Sequence, residues 1–190
     1  MRTSLILLFA GIALASTSAN DVVEGNPDAS VKVTIYSDLQ CGYCQNLRTL
    51  LDEKLLPKYG RQVAFIHRDL PLGKHDWARP AAMAARWIHE KNPQAGIVFR
   101  RELLAEQEHM TAEALKHWVV QFAIRNNLSE KGITDAMTDP RLAAIVDQDV
   151  QIATIHGIKK IPTVAVAGQT FSETIVYDDV ARVIDQALPH

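Results

Sequence analysis

Two cysteines, Cys41 and Cys44, are all that the 190 residues hold. So few cannot staple a scaffold, and a chain of this length buries a sufficient core without staples. A four-ligand zinc site finds no second cysteine pair. His67 and His75 stand at a mutual spacing that fits no usual zinc pattern, and the seven histidines include no His-Glu-x-x-His. Covalent haem attachment needs His after the second cysteine, and position 45 is Gln. There is no long run of one charge sign. The 20 Lys and Arg against 22 Asp and Glu leave a net charge of -2, which argues against the basic face a nucleic-acid partner requires. No repeat or low-complexity tract is present. After the N-terminus no apolar run is long enough to span a membrane, so stable membrane insertion is not expected. What is present is an ordinary globular balance, 47% hydrophobic and 22% charged, over a length suited to one domain or one domain with an insertion.

The first residues read as a leader. Arg2 precedes an apolar run from Leu5 to Ala15, followed by two small-residue endings, Ala13-Leu14-Ala15 and Thr17-Ser18-Ala19. This is the pattern of a secretory signal peptide over residues 1–19, with an uncleaved anchor as the alternative. No cysteine lies near the cleavage region, which argues against lipid attachment there. Its removal takes away one Arg and no acid. The remaining 20–190 are expected to be exported to a periplasmic compartment where disulfides persist.

The cysteines sit at a junction. Val31 to Tyr36 alternates β-branched residues as a strand does, and Gln45 to Leu56 has the leucine spacing of a helix ended by Pro57 and Gly60. A helix beginning at or just after Cys41 would set that sulfur among unpaired N–H groups at the positive end of the helix dipole. Cys44, one turn on, is close enough to close a disulfide. The pair therefore reads as a redox-active dithiol, with Cys41 as the exposed attacking sulfur and Cys44 as the buried resolving one. An inert structural disulfide is the rival, although so short a loop constrains the unfolded chain little.

Asp21 to Ser30 is polar and turn-rich. After the second strand (Gln62 to His67) and the breaker Asp69-Leu70-Pro71-Leu72-Gly73, helical patterns fill the chain to His156. They run from about 76 to 91, 93 to 108, from Thr111 as N-cap, from 129 to 137, and from Asp139-Pro140 to Gly157. Pro162 to Ala167 reads as a strand with proline at its first position, Gly168-Gln169 as a hairpin turn, and Asp178 as the cap of a final helix. Trp77, Trp87 and Trp118 read as core or groove-lining, His67 as a core or edge residue, and the charges from Arg100 to Glu108 as a solvated face. The order predicts a small α/β core with a helical insertion at about 70–157.

Strand, Cys-x-x-Cys, helix, strand and a later Ile-Pro-Thr before a hairpin together resemble the thioredoxin superfamily, and the details resemble its exported DsbA-like branch. Four stretches carry the likeness: Asn26-Pro27-Asp28-Ala29, the segment Ser37 to Cys44, Asp69-Leu70-Pro71-Leu72 with the Ala-rich 81–85, and Gly157 to Val164. The resemblance implies a thioredoxin fold carrying an inserted helical domain. It implies catalytic Cys41 and Cys44, with Gly42, Tyr43, Ile161 and Pro162 shaping the site. It makes Ile161-Pro162 a cis bond beside Cys41, with the Ile161 backbone open to an extended substrate strand. The activity implied is thiol–disulfide exchange with cysteine-containing client proteins, most readily as a dithiol oxidase reset by a membrane redox partner. No cofactor beyond the Cys41–Cys44 disulfide and no metal is implied.

Two departures bear on direction. The strong oxidants of this branch have His in the spacer, whereas here it is Gly42-Tyr43, and the strand before the site carries no acid until Asp38. Asp38 is a candidate proton shuttle for Cys44. Both departures predict a less stabilised thiolate and a less oxidising disulfide. A reductase or isomerase of the same fold therefore stands as the alternative, although the N-terminal dimerisation domain of similar exported isomerases is missing. A non-catalytic chaperone or binding module with a structural disulfide is the alternative from another class.

Overall fold

The computed structural model describes residues 21–189, so the leader expected at 1–19 lies outside the described residues. One five-stranded sheet has the order β1-β3-β2-β4-β5, with β1 Val22–Gly25, β2 Val31–Ser37, β3 Val63–Asp69, β4 Thr163–Val166 and β5 Gln169–Ser172. The helices are α1 Gly42–Leu50, α2 Leu56–Tyr59, α3 Ala78–Lys91, α4 Pro93–Glu106, α5 Ala112–Arg125, α6 Glu130–Ala136, α7 Pro140–Ile155 and α8 Tyr177–Ala187. β2 and β3 pair in parallel across the α1–α2 crossover, and β2 pairs antiparallel with β4 on its other side. Between β3 and β4 the chain makes the helical insertion α3 to α7. This is a thioredoxin-like α/β sheet with an inserted helical region, as the sequence order and the resemblance together implied. No helix among the described residues is long and apolar enough to cross a membrane.

Several elements differ from the sequence reading for physical reasons. The turn-rich stretch 21–30 contains β1, which pairs antiparallel with β3. It is only four residues long and carries the acid Glu24, which hides the usual strand alternation. Pro57 does not end the first helix. A π-helical segment, Leu51–Leu55, precedes it, with the Leu56 N–H donating to the Leu51 carbonyl, so the ring is absorbed at the start of α2. The helix stops at Gly60. The β4–β5 turn is Ala167-Gly168, one residue earlier than expected. Both residues have positive φ, as a two-residue hairpin of this hand demands. Asp178 does not cap α8, whose N-cap is Val176. With Asp179 it lies in the first turn, where a negative charge suits the dipole. Thr111 and Asp139 cap their helices with side-chain oxygens as expected, and Ser129 and Asn92 cap α6 and α4 in the same way.

Two apolar clusters organise the packing. One joins the sheet to α1, α2 and α8 through Val33, Leu51, Phe65, Val164 and Ile184. The other fills the insertion around Phe99, Leu103, Phe122 and Trp77, and it reaches Cys41, Cys44 and Ile161. Trp118 lies at its edge, stacked on Phe122. A third, small cluster joins α3, α6 and α7. At position 96 the backbone of α4 approaches α3 so closely that a Cβ would stand 2.7 Å from the His89 Cα, so only glycine fits.

Charge crosses the seam between sheet and insertion. Asp69 at the end of β3 accepts hydrogen bonds from Arg86 of α3 (2.6 Å) and Arg100 of α4 (2.6 and 2.9 Å). Arg86 also donates to Asp149 of α7, which accepts from Arg68 at 3.0 Å and from the Asp69 N–H at 2.8 Å. Arg100, expected on a solvated face, is only 3% exposed. An Arg amid Ile97, Phe99 and Leu103 reads as surface until its partner is known to come from another element.

Candidate active site

β2 ends at Ser37, and the turn Asp38-Leu39-Gln40 delivers the chain to Cys41, the N-cap of α1. The Cys41 side chain caps nothing, while its carbonyl accepts from the N–H groups of Cys44 (2.9 Å) and Gln45 (3.3 Å). The sulfur itself stands at the N-terminal end of α1, where the N–H groups of Tyr43 and Cys44 favour its anion. Both cysteines are free thiols. Cys41 is less open than expected, at 8% exposed against 2% for Cys44. The contrast lies in what they border. Cys41 lines a groove of about 560 Å³, whereas Cys44 lines a small cavity of about 20 Å³, room for a single water, with Ser37, Leu39 and His67 on its walls.

That asymmetry sets their acidity. The hydrogen bond donated by the Cys44 thiol, followed by the N–H groups of Cys44 and Tyr43, lowers the Cys41 pKa to about 6, against burial and the charge of Asp38. The same hydrogen bond and burial push the Cys44 thiol far up. Cys41 is therefore the thiolate at neutral pH and Cys44 the thiol that steadies it. The alkylation rate of the reduced protein should accordingly rise from acid pH to a plateau with a midpoint near 6. At lower pH Cys41 is protonated and unreactive. A midpoint near the ordinary thiol value of about 8.5 would mean that neither the Cys44 thiol nor the N–H groups hold the thiolate.

Asp38 is buried and fully engaged. One carboxylate oxygen accepts from the Gln40 N–H (2.7 Å), and the other from the Leu72 N–H (2.8 Å) and His75 Nδ1 (2.7 Å). It is its backbone N–H, not the carboxylate, that donates to Cys44 Sγ, at 3.4 Å. Gly42 is sterically free, with nothing within 4 Å of a Cβ placed there, and Tyr43 is 62% exposed. The Ile161–Pro162 peptide is cis, and Ile161 packs in the same cluster as Cys41. The β4 ladder begins at Thr163, so the Ile161 peptide groups take no part in it.

Sequence reasoning missed two glutamines. Gln40 donates to Asp76 (2.9 Å) and accepts from the Trp77 N–H (3.0 Å), tying the turn to the start of α3. Gln107, in a short 3-10 turn after α4, is buried and donates to the Cys41 carbonyl at 3.3 Å. The position of Gln40 next to Cys41 was a signal, but nothing in the sequence marks Gln107. A buried acid is also present after all. Glu24 of β1 bonds Arg48 and stands 2.8 Å from His67 Nε2. Burial opposes its charge, yet His67 and Arg48 hold its carboxyl down at about 2. His67 is buried in the core, as its strand pattern implied.

Among solved structures, the chain is similar to a thioredoxin-like oxidoreductase from Silicibacter pomeroyi at 21% identity and a TM-score of 0.74, covering 90% of this chain and 93% of that one. It is similar to BdbD of Bacillus subtilis (18%, TM-score 0.75, 88% and 92%) and to α-DsbA1 of Wolbachia pipientis (18%, TM-score 0.76, 91% and 93%). At these identities the likeness is one of fold. A curated relative, the Na(+)/H(+) antiporter NhaA 3 of Salinispora tropica, is 31% identical over 150 residues, 78% of this chain. The chain spans only 22% of that protein's length, and the antiporter name describes the whole of it. The family model described as thioredoxin matches residues 17–186, a span that takes in the cysteine pair, the insertion and the cis peptide. On that match this chain belongs to the thioredoxin family.

Proposed function

We propose that this protein is an exported thiol–disulfide oxidoreductase that oxidises client dithiols. The observation that carries the reading is the division of labour between the sulfurs. Cys41 lines the larger groove with its pKa held near 6, and Cys44, the more buried thiol, has its pKa pushed up. In the oxidised protein a client thiolate attacks Cys41 Sγ. A client–Cys41 disulfide forms, the Cys41–Cys44 bond breaks, and Cys44 leaves with the electron pair and takes up a proton. The client's second thiolate then attacks its own sulfur in that mixed disulfide and expels the Cys41 thiolate. The client loses two electrons and the protein gains them. A stabilised Cys41 thiolate favours the reduced product, which makes the disulfide oxidising. A membrane partner bearing a disulfide must then reset the dithiol, since the sequence holds no further cysteine pair to relay electrons. The free Ile161 peptide offers strand pairing to an extended client. Asp38 would serve as a proton shuttle for Cys44 only by releasing a bond to Leu72, Gln40 or His75. The export reading rests on the leader pattern at 1–19.

The neutral, exposed Gly42-Tyr43 spacer favours a second reading, the same chemistry run as a reductase or isomerase. Trapping thiols in living cells with an alkylating agent separates the two. A mostly oxidised pair is expected, and a mostly reduced pair would reverse the direction. A disulfide that survives long exposure to mild reductant would mark a structural bond and a non-catalytic module.

A further inference from the structure

The groove in front of Cys41 is lined with cations. Cys41, Leu72 and Ile161 line it, together with Lys74 and His75 from the segment after β3 and Lys159 and Lys160 from the segment before Pro162. The three lysines are exposed. Glu173 is the one acid lining the groove and is already paired with Lys160 at 2.6 Å. Asp38 lies buried beneath His75, its carboxylate taken up by the Gln40 and Leu72 N–H groups and by the His75 ring. Among the described residues Lys74 and Lys159 take no salt bridge, and neither belongs to a helix, so they neither complete an ion pair there nor complement a helix dipole. The groups that chiefly lower the Cys41 pKa are the Cys44 thiol and the N–H groups of Cys44 and Tyr43, not these lysines. This positive excess stands on a chain whose net charge is -2, so the groove has the opposite sign to the molecule. Its charge faces the space a client must enter.

We propose that this groove selects polypeptide clients with acidic residues within a few positions of the reacting cysteine, Lys74 and Lys159 being the cations that set the preference. The proposal rests on the exchange reading above and names its substrate class. An extended segment paired with the Ile161 peptide advances about 3.3 Å per residue, so side chains one to three positions from the cysteine fall within reach of a lysine anchored in the groove wall. Exposed charges in water act over about 10 Å at moderate salt, so the effect is a bias in encounter and docking, not an absolute gate.

The test uses the oxidised protein and two single-cysteine peptides alike except for Asp or Lys on both sides of the cysteine. Mixed-disulfide formation is followed by stopped flow. Each rate is corrected for the peptide's own thiolate fraction and divided by the rate with uncharged dithiothreitol. At low ionic strength the Asp-flanked peptide should react about three- to tenfold faster, and the preference should collapse near 0.5 M salt. The double variant Lys74→Glu, Lys159→Glu should abolish or reverse it. Equal rates for the two peptides, or a preference that survives the double variant, would overturn the proposal. So would a charge response confined to reduced glutathione, which would assign the groove to a small thiol instead of a polypeptide. A protein inert toward both peptides and toward dithiothreitol as well would overturn the exchange reading, and the proposal with it.

Discussion

Cys44→Ala should accumulate disulfide-linked complexes with client proteins, and Cys41→Ala should accumulate none. In the first variant the Cys41 thiolate still stands at the groove and still forms a bond to a client sulfur. With Cys44 gone, nothing inside the protein can attack that bond. The variant also loses the hydrogen bond that contributes most to the acidity of Cys41, so its thiol should titrate well above 6. The Cys41→Ala variant loses the hydrogen bond that raises the Cys44 pKa most, but it keeps a thiol that is 2% exposed at the wall of a small cavity, where burial still pushes the pKa up. Its exchange rate should fall by at least about three orders of magnitude. Non-reducing electrophoresis of cells expressing each variant reads the complexes directly. Complexes with Cys41→Ala and none with Cys44→Ala would exchange the roles of the two sulfurs.

Asp69→Ala should be the most destabilising single change outside the apolar core. Its carboxylate is 2% exposed and binds two guanidinium groups that are each 3% exposed. Burial alone would raise its pKa, but Arg100 and Arg86 hold the carboxyl well below the usual carboxylate range. Removing it takes a carboxylate partner from both Arg100 and Arg86. Breaking a buried pair from one side costs about 3–5 kcal/mol. For a chain of this size each kcal/mol lowers Tm by about 2–4 °C, so a fall of about 10 °C is expected. The sign with pH follows from the depressed value. The stabilisation is complete above about pH 4 and is lost only as the solution falls well below the ordinary carboxylate range. Wild type should therefore resist mild acid at this seam, and the variant should be uniformly weaker from pH 5 to 8. A loss under 1 kcal/mol in denaturant titration would show that the insertion is held by apolar packing alone.

The parts of this molecule legible in the sequence were those with a local cause. Helices with side-chain caps, the strands around the cysteines and the helix start behind Cys41 all follow from residues within a few positions of one another. The parts that were not legible depend on a distant partner. Arg100 reads as a surface charge until Asp69 arrives from 31 residues away. Glu24 makes β1 look like a loop because its partners Arg48 and His67 lie on α1 and β3. Gln107 has no sequence signal, because a glutamine after a helix is ordinary until its amide meets the Cys41 carbonyl. The spacer and the strand without an acid bear on how this thiolate compares with that of stronger oxidants, whereas the groups that lower the Cys41 pKa here are the Cys44 thiol and the backbone N–H groups of Cys44 and Tyr43.

The strand order carries a consequence for how the molecule is made. Thr34 of β2 pairs with Ile66 on one side and with Ala165 on the other. The first partner is nearby in the chain, but the second is synthesised more than a hundred residues later. A chain emerging N-terminus first can close β2 on β3 and wind α1 while the edge that awaits β4 is still bare. During that interval Cys41 already sits at a helix start, but Ile161 and the two lysines beside it have not yet been made. The nucleophile thus exists before the surface that chooses its partners.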